Sequence, residues 1–134
     1  MVIALIVSAF LAGTALAKPK DCGAACEVPI LTVNATEFSE YAQKNAVRII
    51  DVRTPEEFTQ GHLEKAVNAD FNNKPQFESY LNSLDKNQTY MIYCRTGNRS
   101  GQTMQIMKDK GFEQIINLDG GIQAWQAAGF ALQK

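Results

Sequence analysis

Apolar positions along the chain fall into blocks with two different spacings. Short apolar runs occur at Val28–Val33, Arg48–Val52, Ala66–Ala69, Tyr90–Tyr93 and Gln114–Leu118, each of strand length. Ile49-Ile50 and Tyr90-Met91-Ile92-Tyr93 lack the clean alternation of a half-exposed strand. That pattern fits strands covered on both faces of a parallel sheet. Between these runs, apolar residues recur at helical spacing. Phe38, Tyr41 and Ala42 share a face of a short helix that the pattern starts at Thr36 and runs to about Lys44. Phe77, Tyr80, Leu81 and Leu84 predict another helix. Met104 and Met107 line a third, over roughly Ser100 to Lys110, with Lys108 and Lys110 at its negative end and Gly111 as its stop. Ile122–Ala127 predicts a last helix, closed by Gly129.

The punctuation supports this division. In Thr54-Pro55-Glu56-Glu57, Thr54 caps, Pro55 suits the first helical position, and Glu57 completes a capping box. Strands and helices alternate with short connections, which predicts an α/β fold: a mostly parallel five-stranded sheet with helices on both faces. Sites in such sheets lie beyond the carboxyl ends of the strands. Cys94 falls at such an end, as do Asp51 and Arg53.

Composition narrows the picture only a little. The 134 residues suffice for one domain, and 46% hydrophobic with 20% charged residues is ordinary for a globular chain. The net charge is −1 and no basic tract stands out, so no nucleic-acid partner is expected. Residues 1–17 carry no charge and end in Ala15-Leu16-Ala17, a small-x-small cleavage pattern. They are expected to form a signal peptide, giving an exported, periplasmic protein without stable membrane contact after cleavage. The alternative is a membrane anchor through the same residues, because no Lys or Arg precedes the apolar run and Lys18 and Lys20 follow it. Residues 18–27 form a short polar tail, and residues 28–134 the domain, expected to work as a monomer. Cys22 and Cys26, four apart in the tail, suit a local disulfide in an oxidising compartment. One of them could instead serve as a resolving thiol. No metal site is expected, since two thiols are too few ligands for structural zinc and His62 is distant in sequence. No cofactor is expected either.

The chemistry concentrates in Cys94-Arg95-Thr96-Gly97-Asn98-Arg99-Ser100, between an apolar strand and a helix. Loop N–H groups and the positive end of the helix can face the sulfur, and Arg95 and Arg99 add full charges. All of these favour the nucleophilic thiolate. Gly97 and Asn98 can adopt positive φ and so let the backbone turn inward. The spacing is Cys-x4-Arg, one residue shorter than the Cys-x5-Arg of a tyrosine-phosphatase cradle. The tighter ring suits a single sulfur on Cys94 and crowds a tetrahedral phosphate.

Three motifs give the chain a family resemblance. Asp51-Val52-Arg53-Thr54-Pro55-Glu56-Glu57-Phe58 with Gly61-His62-Leu63 and Ala66-Val67-Asn68, the Cys94–Ser100 loop, and Leu118-Asp119-Gly120-Gly121-Ile122-Gln123-Ala124-Trp125 follow in order. Together they resemble the rhodanese family of sulfurtransferases. Lys65 departs from the small residue common there. The resemblance implies a rhodanese-like fold and a ping-pong transfer. Cys94 would take the outer sulfur of thiosulfate, release sulfite, and pass the sulfur to cyanide or a thiol. It implies a loop from Arg95 to Ser100 that stabilises the persulfide. Arg95 is then expected at the rim, Arg99 holding the loop through Asp51, and Arg53 pairing with Glu56 or Glu57 or meeting substrate. A sulfur or redox carrier loaded by a partner protein is the alternative. His62 and Trp125 are expected to be structural.

Overall fold

A computed structural model of the chain describes residues 29–44 and 46–134. The expected signal peptide, the tail with Cys22 and Cys26, and Val28 lie outside the described residues. Five parallel strands form one sheet: β1 (Leu31–Val33), β2 (Arg48–Asp51), β3 (Val67–Asn68), β4 (Tyr90–Tyr93) and β5 (Ile115–Leu118). Their order across the sheet is β1-β5-β4-β2-β3. The central strand, β4, is buried at every position, between β2 and β5. The helices are α1 (Ala35–Lys44), α2 (Pro55–Thr59), α3 (Lys74–Ser83), α4 (Asn98–Asp109) and α5 (Gly121–Ala127).

The sheet separates two apolar clusters, which is why its strands show no alternation. Phe77, Leu81 and Met107 of α3 and α4 pack with Ile50, Ile92 and Ile115 on one side. Phe38, Ile122 and Trp125 of α1 and α5 pack with Ile49, Met91 and Ile116 on the other. The strands thus send alternate residues to two cores instead of to a core and water. Trp125 meets Phe38 edge-on at 6.1 Å between centroids, and its Nε1–H donates to the Ala131 carbonyl at 3.0 Å. This burial gives the ring both an apolar contact and a polar partner.

Most boundaries shift by a residue or two from the sequence pattern, and two of the shifts have a visible cause. β1 begins at Leu31 instead of Val28, because β5 offers partners only for Leu31 to Val33 and Pro29 has no N–H to give. Helix α1 starts at Ala35, before Thr36, because Asn34 and Glu37 exchange bonds: the Glu37 N–H donates to Asn34 Oδ1 at 2.8 Å and the Asn34 N–H to Glu37 Oε1 at 3.1 Å. Asn34 is thus the cap of a capping box that the pattern hides.

Lys65 has φ of +70°, the one non-glycine residue at positive φ among the described residues. A side chain in the left-handed region costs about 1–2 kcal/mol. Its ammonium makes no ion pair among the described residues to offset that cost. Lys65→Gly is therefore expected to stabilise the fold by ~1 kcal/mol, reduced by glycine's extra unfolded-state entropy. Thermal unfolding should show a melting temperature a few degrees higher; an unchanged or lower value would remove the strain argument.

Candidate active site

Helix α2 and the turn after β2 build the support beneath the loop. The Thr54 hydroxyl accepts the Glu57 N–H at 3.2 Å, and Glu57 Oε1 accepts the Thr54 N–H at 3.1 Å, so the capping box forms as the sequence predicts. Asp51 ends β2 with no solvent exposure. Its carboxylate accepts Arg53 Nε at 3.0 Å and Nη2 at 2.7 Å, a forked, buried pair. Arg53 Nη2 also donates to the Gly61 carbonyl at 2.7 Å. The expected pairing of Arg53 with Glu56 or Glu57 is replaced by this one, since Asp51 is two residues away and already turned under the chain. The Arg53 pKa is raised: burial opposes the charge, but the Asp51 hydrogen bonds and charge outweigh it.

Arg99 also finds a different partner from the expected one. Its Nη1 and Nη2 donate to Glu57 Oε1 and Oε2 at 2.8 and 3.1 Å, tying the exit of the Cys94 loop to α2. Asp51 is occupied by Arg53 and by the Tyr93 hydroxyl. The hydrogen bonds from Arg99, with those from Thr54, outweigh burial and hold the Glu57 pKa down at about 2. Because that pKa lies below its ordinary 4.5, the pair's contribution is full above 4.5 and is lost as pH falls toward about 2. Glu57→Gln is expected to lose about 1 kcal/mol at neutral pH, the scale of a half-exposed ion pair. It should also flatten the acid limb of a melting-temperature profile over that window. An acid limb as steep as the wild type's would contradict this.

Cys94 follows β4 directly and is 1% exposed. The Gly97 N–H donates to its Sγ at 3.0 Å. Gly97 has φ of +110°, which lets the backbone turn its N–H inward. Asn98, which could also adopt positive φ, is the first residue of α4 with ordinary helical backbone. The Ser100 hydroxyl is buried beside the loop with no hydrogen-bond partner among the described residues. Burial pushes the Cys94 thiol up, but the Ser100 hydroxyl and the N–H groups of Ser100, Gly97 and Thr96 outweigh it. The pKa ends below the ordinary 9.0. The Arg99 charge and the Cys94 thiolate favour one another. Thr96 and Arg95 are exposed. Arg95 stands at the rim, in a cleft of about 430 Å³ that Arg53, Glu57, Gln60 and Gln123 also line.

One part of the site leaves only a faint local signal. The N–H groups of Ile122 and Gln123 donate to the carbonyls of Cys94 and Arg95 at 2.9 and 3.2 Å. The start of α5 therefore clamps the outer side of the loop and leaves its N–H groups free to face the sulfur. Gly121, with φ of +60°, permits the contact: a Cβ there would stand 2.4 Å from the Arg95 carbonyl carbon. The adjacent glycines 120 and 121 at a strand end were the available hint. His62 lies outside this chemistry. Its ring stacks on Phe58 at 3.8 Å, its Nδ1 meets the Phe58 carbonyl, and its backbone pairs with Gln133.

Fold and site together define an α/β protein with a cysteine at the mouth of a strand-to-helix cradle of amides. The chain belongs to the family of rhodanese-like domains, whose model matches residues 34–128. A protein of Synechocystis sp. is 32% identical over 109 residues, covering 78% of this chain and 56% of that protein. A protein of Allochromatium vinosum named sulfurtransferase is 31% identical over 104 residues, covering 75% and 94%. The crystal structure of a rhodanese-like domain protein from Staphylococcus aureus matches with a TM-score of 0.64 and 29% identity, over 77% of this chain and 98% of that one. The chain spans about half the length of several curated relatives it matches.

Proposed function

We propose that the protein is a sulfurtransferase that carries sulfane sulfur on Cys94, from thiosulfate or a similar donor to cyanide or a thiol. The Cys94 thiolate attacks the outer sulfur of thiosulfate. The sulfur–sulfur bond breaks, sulfite leaves with the electron pair, and Cys94 is left as a persulfide. The acceptor then attacks the terminal sulfur, the new bond breaks, and the thiolate returns. Cyanide leaves as thiocyanate; a thiol loses its proton and leaves as a persulfide. Two steps through a covalent intermediate replace one difficult transfer. The cradle N–H groups stabilise charge on the terminal sulfur, as an oxyanion hole does for oxygen.

The observation that carries this reading is the Gly97 N–H on the Cys94 sulfur at 3.0 Å, in a loop that lowers the thiol's pKa despite burial. The name of the Allochromatium relative supports it. The test is steady-state thiocyanate formation from thiosulfate and cyanide. Parallel reciprocal plots, the mark of a double-displacement cycle, are expected. Absence of turnover on thiosulfate, with sulfur accepted only from a partner protein's persulfide, would replace this reading with the carrier.

A further inference from the structure

Tyr93 precedes Cys94 and sends its side chain to the opposite face of the sheet. The sulfur belongs to the cluster under α3 and α4, and Tyr93 to the one under α1 and α5. The Tyr93 side chain is fully buried. Its hydroxyl donates to Asp51 Oδ2 at 2.6 Å and accepts the Leu63 N–H at 3.1 Å. Asp51 in turn holds Arg53, and Arg53 holds the Gly61 carbonyl. These bonds fasten both ends of the 51–63 segment to the strand that carries the nucleophile. The segment contains Glu57, which grips Arg99 at the far end of the cradle. The cradle is therefore tied to one segment at its entry, through Tyr93, and at its exit, through Arg99.

Burial and the Asp51 charge push the Tyr93 pKa well up, so the hydroxyl stays a donor throughout the working pH range. Nothing in the transfer chemistry uses that hydroxyl. A buried hydroxyl with one donor bond and one acceptor bond fully used acts as a fixed pin, since moving either partner leaves a buried group unpaired.

We infer that Tyr93 is a positioning residue for the sulfur transfer: its hydroxyl fixes the Glu57-bearing segment against β4, and so sets where Arg99 and the cradle amides stand around the Cys94 sulfur. This rests on Cys94 being the nucleophile. The test is the pH profile of iodoacetamide alkylation, followed at Cys94 by peptide mass mapping. Tyr93→Phe keeps the ring and removes only the hydroxyl. Its expected effect is a Cys94 reaction about tenfold slower at neutral pH, equivalent to one pKa unit, with the midpoint moved toward that of a free thiol. Phe112→Leu is the stability control. Phe112 meets Tyr90 edge-on at the other end of β4, with centroids 5.5 Å apart. Its loss should lower the melting temperature without changing the Cys94 profile. If Tyr93→Phe does not fold alone, the same comparison is made in the Lys65→Gly background. A Tyr93→Phe profile equal to wild type, or a Phe112→Leu profile shifted as far, would overturn the inference. A wild-type Cys94 that titrates like a free thiol would overturn it together with the proposed function.

Discussion

Adding one methyl group at position 121 is expected to lower thiosulfate–cyanide turnover by about 100-fold or more, the penalty of an active group misplaced by roughly 1 Å. The Cβ of Gly121→Ala would lie 2.4 Å from both the carbonyl carbon and oxygen of Arg95 and 2.5 Å from the Cys94 carbonyl oxygen. Carbon atoms attract at about 3.5–4.0 Å and repel steeply inside that range. All three atoms are backbone, so no side chain can swing away. Either α5 retreats and releases the Cys94 and Arg95 carbonyls, or the loop shifts and its N–H groups lose the sulfur. The φ of +60° adds a conformational penalty of about 1–2 kcal/mol. Gly101→Ala is the natural comparison. Gly101 lies inside α4 at ordinary helical φ, and a Cβ there meets nothing within 4 Å. That change should keep activity and stabilise α4 by about 0.5–1 kcal/mol. Equal activity in the two variants would mean that the α5 clamp has no part in holding the loop.

Cys94→Ser is expected to abolish persulfide formation and bring turnover below about 10⁻³ of wild type, the scale seen when a covalent nucleophile is removed. The serine hydroxyl can still accept the Gly97 N–H, so folding should survive. What disappears is an ionisable sulfur. The cradle lowers the thiol's pKa, so the reactive fraction at neutral pH exceeds that of an ordinary cysteine. Loading by the wild type should accordingly fall as pH drops through that lowered pKa. Full activity in Cys94→Ser, with activity lost in Cys22→Ser, would move the site to the tail.

The sheet, both helical layers and the Cys94 loop were legible because each rests on local pattern. Apolar runs mark the strands, and Thr54-Pro55-Glu56-Glu57 contains its own cap. The partners across the site were harder to read, because they depend on competition. Read from the sequence, Glu56 or Glu57 falls to Arg53 and Asp51 to Arg99. A carboxylate has two oxygens, however, and Glu57 serves Thr54 and Arg99 together. Asp51 was already claimed by Arg53 and by the Tyr93 hydroxyl, 42 residues away. The contact of Gly121 with the loop crosses from β5 to β4 and leaves no periodic trace. Gly97 and Asn98 both tolerate positive φ, and sequence alone does not say which adopts it: Gly97 alone makes the turn, and Asn98 begins α4.

The most direct test follows a single sulfur atom. Protein is incubated with thiosulfate, freed of excess, and mass-mapped by peptide before and after cyanide. One added sulfur on the Cys94 peptide, removed by cyanide as thiocyanate, is the predicted result. An unloaded Cys94 peptide, or sulfur found only on the peptide of Cys22 and Cys26, would contradict the account.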